Sequence, residues 1–334
     1  MKYKYLALIA ILLFLYGCDN NDSTTGYEGF SELDSLIHDF ENELVPLEKE
    51  ISDLSALASY LLQNKNRFIH SAEPGKYVTS ESGIFYNPTP KYNESSVYIS
   101  TRASDRNTAI EQVYATELLD SAFYNVVTKN DLVTQAYFNS KTQYSRLYPS
   151  YGVLSILEPD LDITSFNFYY LADGVRNPDR GPKWVEEIYI DPAGRGWVLS
   201  VIHPVYFEDI LQGVMGLDIT VDDLINQFLN RSEKDLIIVN AEGMIVAGKT
   251  RAIESLDMPP LKNHTYSQTI NSDNFQEQEF NLFKSKNREV RRMIAKFLLE
   301  KDNNYELNLN GSSHMVYCKR MTLLNWYLID IDNL

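Results

Sequence analysis

One stretch decides the fold of this chain: Gln212-Gly213-Val214-Met215-Gly216-Leu217-Asp218-Ile219. Its apolar residues and glycines predict a β-strand that runs directly into a helix over residues 221–229. Strands are also predicted over 187–191 and 197–206, joined by a turn that contains proline and two glycines. Successive hairpins of this kind indicate an antiparallel sheet rather than βαβ units.

Upstream of this sheet, apolar residues recur at steps of three and four over residues 31–70, which predicts a long helix. Ser31 and Asp34 suit the start of that helix. Pro46 interrupts the run and is expected to bend or divide it. Such a helix is usually a spine for other elements, and the seam of a coiled-coil dimer is the alternative.

The chain between the helix and the sheet, and the chain after the sheet, repeat one plan of strands, helical material and a terminal antiparallel set. In the first round we predict two short strands over 80–86 and 96–100, a helix over 108–127 and a strand over 132–139. An aromatic loop over 144–151 and a strand over 166–170 complete this round. In the second round we predict a hairpin over 235–247, a helix over 281–300 and three strands over 305–309, 313–320 and 326–330. The rounds predict two modules, residues 71–228 and 229–334.

The N-terminus has the layout of a bacterial lipoprotein leader. A basic start precedes an apolar run, and residues 15–18 read Leu-Tyr-Gly-Cys, which resembles a lipobox. We therefore predict a signal peptide over residues 1–17, a lipid on Cys18 and a flexible polar tether over 18–30. An uncleaved anchor helix is the alternative, but the apolar run is shorter than the roughly 20 residues that span a bilayer. Asp19 resembles the signal for retention in the inner membrane.

Composition and charge exclude several classes of function. The formal net charge of −16 argues against nucleic acid and anionic lipid head groups as partners. The only cysteines are Cys18 and Cys318, and the second lies in an apolar strand and is expected to be a core residue. The histidines have no metal-ligand spacing, and no nucleophile elbow or phosphate-binding loop occurs. We expect no enzyme activity, metal or cofactor.

The order of these elements resembles the double Cache family, the extracytoplasmic PAS-like sensor domains of bacterial signalling proteins. The resemblance rests on Tyr189-Ile190-Asp191, on the Gly-Val-x-Gly-x-Asp strand that ends near Asp218, and on the Asn-Ala-Glu-Gly turn at 240–243. It implies an α+β fold with a long N-terminal helix, a membrane-distal module and a membrane-proximal module.

The amino-acid-sensing branch of this family implies a binding site. By resemblance, Tyr189, Asp191 and Asp218 would hold the ammonium of a ligand, which suits carboxylates and an aromatic face. The family's Arg-x-Trp-Tyr run, which grips the carboxylate, has no match, and residues 176–184 occupy its place. The other candidate ligand-binding residues lie in or beside this loop: Tyr170, Asp173, Arg176, Arg180 and Trp184.

Each candidate also has a purely structural interpretation. Asp191 can cap its own turn, Asp218 can cap the following helix, and Tyr189 and Trp184 can simply pack.

The sequence therefore predicts a lipid-anchored periplasmic sensor domain that binds a small polar amine or amino-acid-like molecule and signals through a membrane protein. The alternative is a docking lipoprotein whose degenerate pocket binds no small molecule. An undetected hydrolase is a third hypothesis, and no pair of residues in the sequence singles it out.

Overall fold

A computed structural model of the protein describes residues 24–69, 75–259, 280–309 and 311–332. Within these residues a long N-terminal helix is followed by two antiparallel sheets, which confirms the predicted α+β class. The predictions for residues 1–17, Cys18 and Asp19 lie outside the described residues. No helix in the described part of the chain has both the length and the hydropathy to cross a bilayer.

The first helix, α1, spans Thr24–Gln63 and packs against both sheets. At about 1.5 Å per residue it is roughly 60 Å long. Its buried stripe follows helical spacing and consists of Leu33, Ile37, Phe40, Leu44, Leu47, Ile51, Leu54, Ala58 and Leu61. Because the protein's own sheets cover this stripe, α1 is a spine, and the stripe is not available as a dimer seam.

The bounds of α1 differ from the predicted range of 31–70. The helix begins at Thr24, so residues 24–30 are helical although the sequence predicted them to be part of the tether. It ends at Gln63, and a one-turn helix, α2 (Lys65–Phe68), follows. Pro46 does not divide α1, because its exposed ring lies between buried leucines whose packing holds the helix together.

The first sheet has eight strands in the order β1-β2-β3-β5-β4-β8-β7-β6. Its strands are β1 (Val78–Thr79), β2 (Phe85–Tyr86), β3 (Ser96–Ile99), β4 (Gln135–Ser140), β5 (Tyr144–Tyr148), β6 (Lys183–Ile190), β7 (Trp197–Phe207) and β8 (Ile210–Thr220). The prediction of a loop over residues 144–151 is wrong for the part that forms β5. Tyr144, Arg146 and Tyr148 alternate with Ser145 and Leu147, and all five residues are buried, so both faces of this strand are covered.

Two helices, α3 (Arg106–Ala115) and α4 (Leu119–Lys129), replace the single helix predicted over 108–127. Asp105 caps α3 by accepting a hydrogen bond from the Thr108 amide at 3.0 Å. The break follows from Thr116, whose buried hydroxyl bonds the Gln112 carbonyl at 2.7 Å and the Tyr144 hydroxyl at 2.7 Å.

The segment between β5 and β6 covers one face of the first sheet. It contains α5 (Val153–Ile156), a 3₁₀ turn (Ile163–Ser165) and α6 (Asn167–Tyr170). The strand predicted over 166–170 is wrong, because the Tyr170 and Leu171 amides bond carbonyls four residues earlier. The apolar run reflects burial of Phe168 and Tyr169 against the sheet rather than strand pairing.

The second module follows α7 (Val221–Gln227), which Thr220 caps. Its five-stranded sheet has the order β10-β9-β13-β12-β11, from β9 (Leu236–Asn240), β10 (Ile245–Gly248), β11 (Asn304–Leu309), β12 (Ser312–Arg320) and β13 (Trp326–Ile331). Its helices are α8 (Thr250–Ser255) and α9 (Arg288–Ala295), and one π-helical turn (Lys296–Glu300) extends α9. Cys318 is a buried free thiol, as predicted.

The two modules are joined through α1 and through β6. The Glu41 carboxylate on α1 accepts hydrogen bonds from the Thr322 and Leu323 amides of the β12–β13 loop, at 2.6 and 2.8 Å. The Glu186 carbonyl on β6 accepts one from Trp326 Nε1 at 2.9 Å. The larger apolar core includes residues of α1 and of both sheets, so the described chain packs as one body.

Candidate functional site

A cavity of about 40 Å³ lies between the first sheet and the segment that joins β5 to β6, larger than the roughly 10–15 Å³ that one water molecule needs. The sheet and the turn after β6 contribute Tyr98, Gln135, Tyr137, Asn139, Ser145, Leu147, Tyr189, Asp191, Pro192, Ala193 and Asp218. The covering segment contributes Tyr151, Leu157, Leu161, Ile163, Phe166 and Phe168. The cavity therefore has an apolar, aromatic wall and a polar end.

Two buried carboxylates form the polar end. Asp218, near the end of β8, is 1% exposed, and its Oδ1 accepts a hydrogen bond from Ser200 at 2.5 Å. Its Oδ2 accepts another from the Gln135 amide. Asp191 follows β6, and its two oxygens accept from the Ala193 and Arg195 amides at 3.0 and 3.2 Å. The turn that Asp191 caps thus fixes its carboxylate at the cavity wall.

The environment of these carboxylates opposes their ionisation. Burial, and then the nearby charge of Asp191, raise the pKa of Asp218 to about 8. Burial also raises the pKa of Asp191, but the amide hydrogen bonds of Ala193 and Arg195 oppose that rise. Asp218 therefore holds a proton at neutral pH.

No lysine, arginine or histidine is among the residues that line this cavity. Among the described residues, the positive charge of Arg195 lowers the pKa of both carboxyl groups, but by less than burial raises it. The cavity wall therefore carries two carboxyl groups and no cationic side chain of its own.

Tyr189 connects the aromatic wall to the carboxylates. Its hydroxyl and the Ser200 hydroxyl are 2.7 Å apart, and Ser200 in turn donates to Asp218. Phe168 lies beside the Tyr189 ring, with centroids 5.4 Å apart. The structure thus brings Tyr189, Asp191 and Asp218 to one cavity, where the sequence expected them.

The other five candidates do not line this cavity. Trp184 lies on the opposite face of β6, where its Nε1 donates to Glu48 of α1 at 3.0 Å. Arg176 pairs with Asp173 and lies over the Tyr170 ring at 5.1 Å.

Arg180, the second arginine expected to hold a carboxylate, is also engaged elsewhere. It pairs with Asp209 at 2.7 Å and lies over Tyr206 at 4.3 Å. Both arginine side chains are about half exposed, at 49% for Arg176 and 45% for Arg180. The expected carboxylate clamp is therefore not part of the cavity wall.

The fold is similar to a solved ligand-binding domain, that of the Pseudomonas fluorescens chemoreceptor CtaA in complex with L-alanine. The TM-score is 0.50 at 13% identity, over 92% of this chain and 96% of that chain. The chain has the double Cache fold. The ligand-binding domain of the Pseudomonas aeruginosa chemoreceptor PctC, in complex with GABA, gives a TM-score of 0.46 at 13% identity, over 92% of this chain and 99% of that chain. No protein-family model and no curated protein sequence matches the chain.

The glycines of β8, the strand that carries the resemblance to the double Cache family, make room for β4 and its aromatic side chains. Gly216 on β8 pairs with Tyr137 on β4, and the Tyr137 ring lies across the glycine. A Cβ on Gly216 would be 1.9 Å from Tyr137 Cζ, and a Cβ on Gly213 would be 2.5 Å from the Asn139 carbonyl oxygen. Any side chain at these positions displaces β4 or its aromatic residues.

The sequence did not single out the cavity residues Gln135 and Tyr137, nor Ser200, which bonds Tyr189 and Asp218 of the double Cache cavity. The predicted strand over 132–139 contained Gln135 and Tyr137, and their two-residue spacing with Asn139 indicates a shared face. Only the pairing of β4 with β8 places Gln135 directly opposite Asp218. Tyr137 is 3% exposed, and its hydroxyl has no hydrogen-bond partner within the described chain.

Proposed function

We propose that the protein is a lipid-anchored extracytoplasmic sensor domain whose cavity binds the ammonium group of a small amine and which signals through a membrane protein. One observation carries the proposal: two carboxylates line an aromatic cavity whose lining residues include no cationic side chain. Burying a carboxylate without a counter-charge is costly, and a cationic ligand removes that cost.

The rest of the cavity wall suits an amine with an apolar body. Tyr98, Tyr137, Tyr151, Phe166 and Phe168 offer aromatic faces, which attract a cation and pack against hydrocarbon. A ligand carboxylate would find no charged partner among the lining residues, because Arg176 and Arg180 are engaged on an exposed loop. We therefore favour an amine without a carboxylate over an α-amino acid. The L-alanine bound to the similar CtaA domain is consistent with a small amine-bearing ligand.

Thermal melting of the full chain in detergent tests whether the cavity binds an amine. The ligands are straight-chain primary amines from methylamine to hexylamine, and 2-phenylethylamine. We expect a stabilising shift, because a ligand at 100 times its Kd adds about 2.7 kcal/mol to the stability of the folded state. The matched control is the double variant Arg176→Ala, Arg180→Ala, which should bind the same amine unchanged. A carboxylate-bearing ligand that binds wild type and is lost in this control would contradict the proposed amine.

Substitution of Cys18 tests the proposed lipid anchor separately. We expect wild-type protein to incorporate labelled palmitate and to sediment with membranes, and Cys18→Ser to lose both properties. Cys318→Ser is the matched control, since its thiol is buried in the second module and should not affect either result. Membrane association and labelling that survive in Cys18→Ser would indicate an uncleaved anchor instead.

A further inference from the structure

Gln135 is a buried polar residue of the cavity whose hydrogen bonding is incomplete within the described chain. It is 0% exposed, and its amide nitrogen donates to Asp218 Oδ2. Its Oε1 is buried and accepts no hydrogen bond from any described residue. Because only the amide NH₂ can donate to the carboxylate, the bond to Asp218 turns Oε1 away from that carboxylate.

A buried amide oxygen without a donor is unfavourable, since it has lost its hydrogen bonds to water. Native proteins satisfy nearly all such atoms, so an exception in a cavity indicates a missing donor. Once Asp218 is ionised, as it is at pH 9, both carboxylates of the cavity wall are acceptors only, and the Tyr137 hydroxyl oxygen nearby also has no partner in the described chain. The missing partner is therefore a molecule that brings several N–H or O–H donors.

We infer that Gln135 is a ligand-binding residue whose Oε1 accepts one N–H of the ligand's ammonium and thereby selects primary amines. The inference rests on the proposed amine-binding function. A primary ammonium has three N–H donors, which match Asp218, Asp191 and the Gln135 oxygen. A dimethylated amine has one N–H donor, which a single carboxylate satisfies, so it gains nothing from Gln135.

Isothermal titration of the full chain at pH 9 with n-butylamine and N,N-dimethylbutylamine tests this inference. Wild type should prefer n-butylamine, and Gln135→Met should weaken n-butylamine binding by roughly tenfold or more. The same variant should change the affinity for N,N-dimethylbutylamine much less, so the preference for the primary amine falls. Gln227→Met, on α7 and outside the cavity, is the matched control and should keep the preference.

Gln135→Glu separates the ligand role from a positioning role, because it keeps an oxygen at the same place and restores the preference if that oxygen binds the ammonium. Equal losses for both amines in Gln135→Met would mean that Gln135 only positions Asp218, which overturns the inference. If wild type binds N,N-dimethylbutylamine as tightly as n-butylamine, the inference also fails while the proposed amine binding stands. If wild type binds no amine, the proposed function fails and the inference with it.

Discussion

Asp218→Asn is expected to weaken amine binding by roughly 30-fold or more, because removing one partner of a buried charge pair costs about 2–5 kcal/mol. Asparagine keeps the shape, its oxygen can still accept from Ser200, and its NH₂ can donate to the Gln135 oxygen once the Gln135 amide turns over, so the fold of the cavity wall should survive. What the variant removes is the negative charge that an ammonium needs. Titration of wild type and variant with the same amine measures the loss. Asp179→Asn, on the exposed loop before β6, is the matched control.

The same variant should stabilise the empty protein at alkaline pH. Because the folded state raises the pKa of Asp218 from 3.8 to about 8, the folded protein holds a proton that the unfolded chain releases. The stability of wild type therefore falls as pH rises from about 4 to about 8, and the full penalty is present above about 8. The asparagine side chain of the variant does not titrate, so it escapes this penalty. The difference in melting temperature between Asp218→Asn and wild type should grow across this window and then level.

Amine binding should show the opposite trend with pH. An ammonium pairs with the ionised form of Asp218, so below pH 8 the ligand must displace a proton. The apparent affinity of wild type should rise about tenfold per pH unit between pH 6 and 7, and the rise should end above about pH 8. Titration at pH 7 in buffers of different ionisation enthalpy should register release of about one proton per bound amine. An affinity independent of pH between 6 and 8 would contradict a protonated Asp218 in the empty cavity.

The resemblance to the double Cache family predicted the candidate site, and the alternation of side chains along a strand agrees with the part of it that the structure brings together. Tyr189 and Asp191 are two residues apart and share a face, whereas Trp184 is an odd number of residues from Tyr189 and lies on the other. The bulge in β6 adds residues between Val185 and Tyr189 without changing this alternation, because four steps on β6 match two on β7. Asp218 was included because the Gly-Val-x-Gly-x-Asp strand resembles the family's strand, and the pairing of β8 with β4 and β7 places it at the cavity.

The rest depended on long-range packing that local patterns do not encode. Pro46 would end an isolated helix, but the buried stripe of α1 overrides it. The aromatic residues 166–170 fit a strand equally well, and only their burial over the cavity makes α6 helical. Gln135 lies opposite Asp218 only because of the register between β4 and β8, two strands that lie far apart in sequence. Nothing in the sequence of the exposed loop indicated that Arg176 would pair with Asp173 and Arg180 with Asp209.

Asp120→Ala is expected to destabilise the folded protein by about 3–5 kcal/mol, because it leaves a buried guanidinium without its counter-charge. Arg146, on β5, is 0% exposed, and its Nη1 donates to Asp120 Oδ1 at 2.6 Å. Its other donors bond the Tyr144 hydroxyl at 2.7 Å and the Val113 carbonyl at 2.8 Å. These neutral acceptors cannot balance the charge once the carboxylate is gone. Urea unfolding of wild type and variant measures the difference.

Asp173→Ala is the control, since it removes a carboxylate that pairs with Arg176 and accepts from the Val175 and Arg176 amides on the surface, and it should cost clearly less than Asp120→Ala, about 1–2 kcal/mol. The double variant Asp120→Ala, Arg146→Met should be more stable than Asp120→Ala alone, because an apolar side chain in place of the cation removes the unpaired charge. A single variant as stable as the control would mean that water reaches Arg146.

The Arg146 cluster also separates support of the cavity from ligand binding. Arg146 points from β5 toward α3 and α4, while Ser145 and Leu147 of the same strand line the cavity on the opposite face. Asp120→Ala should therefore lower the melting temperature yet leave the amine affinity of the folded fraction near that of wild type at low temperature. Asp218→Asn should produce the reverse pattern, a folded protein of equal or greater stability that no longer binds. Because the two substitutions act on opposite faces of one sheet, their effects on stability should add within about 0.5 kcal/mol.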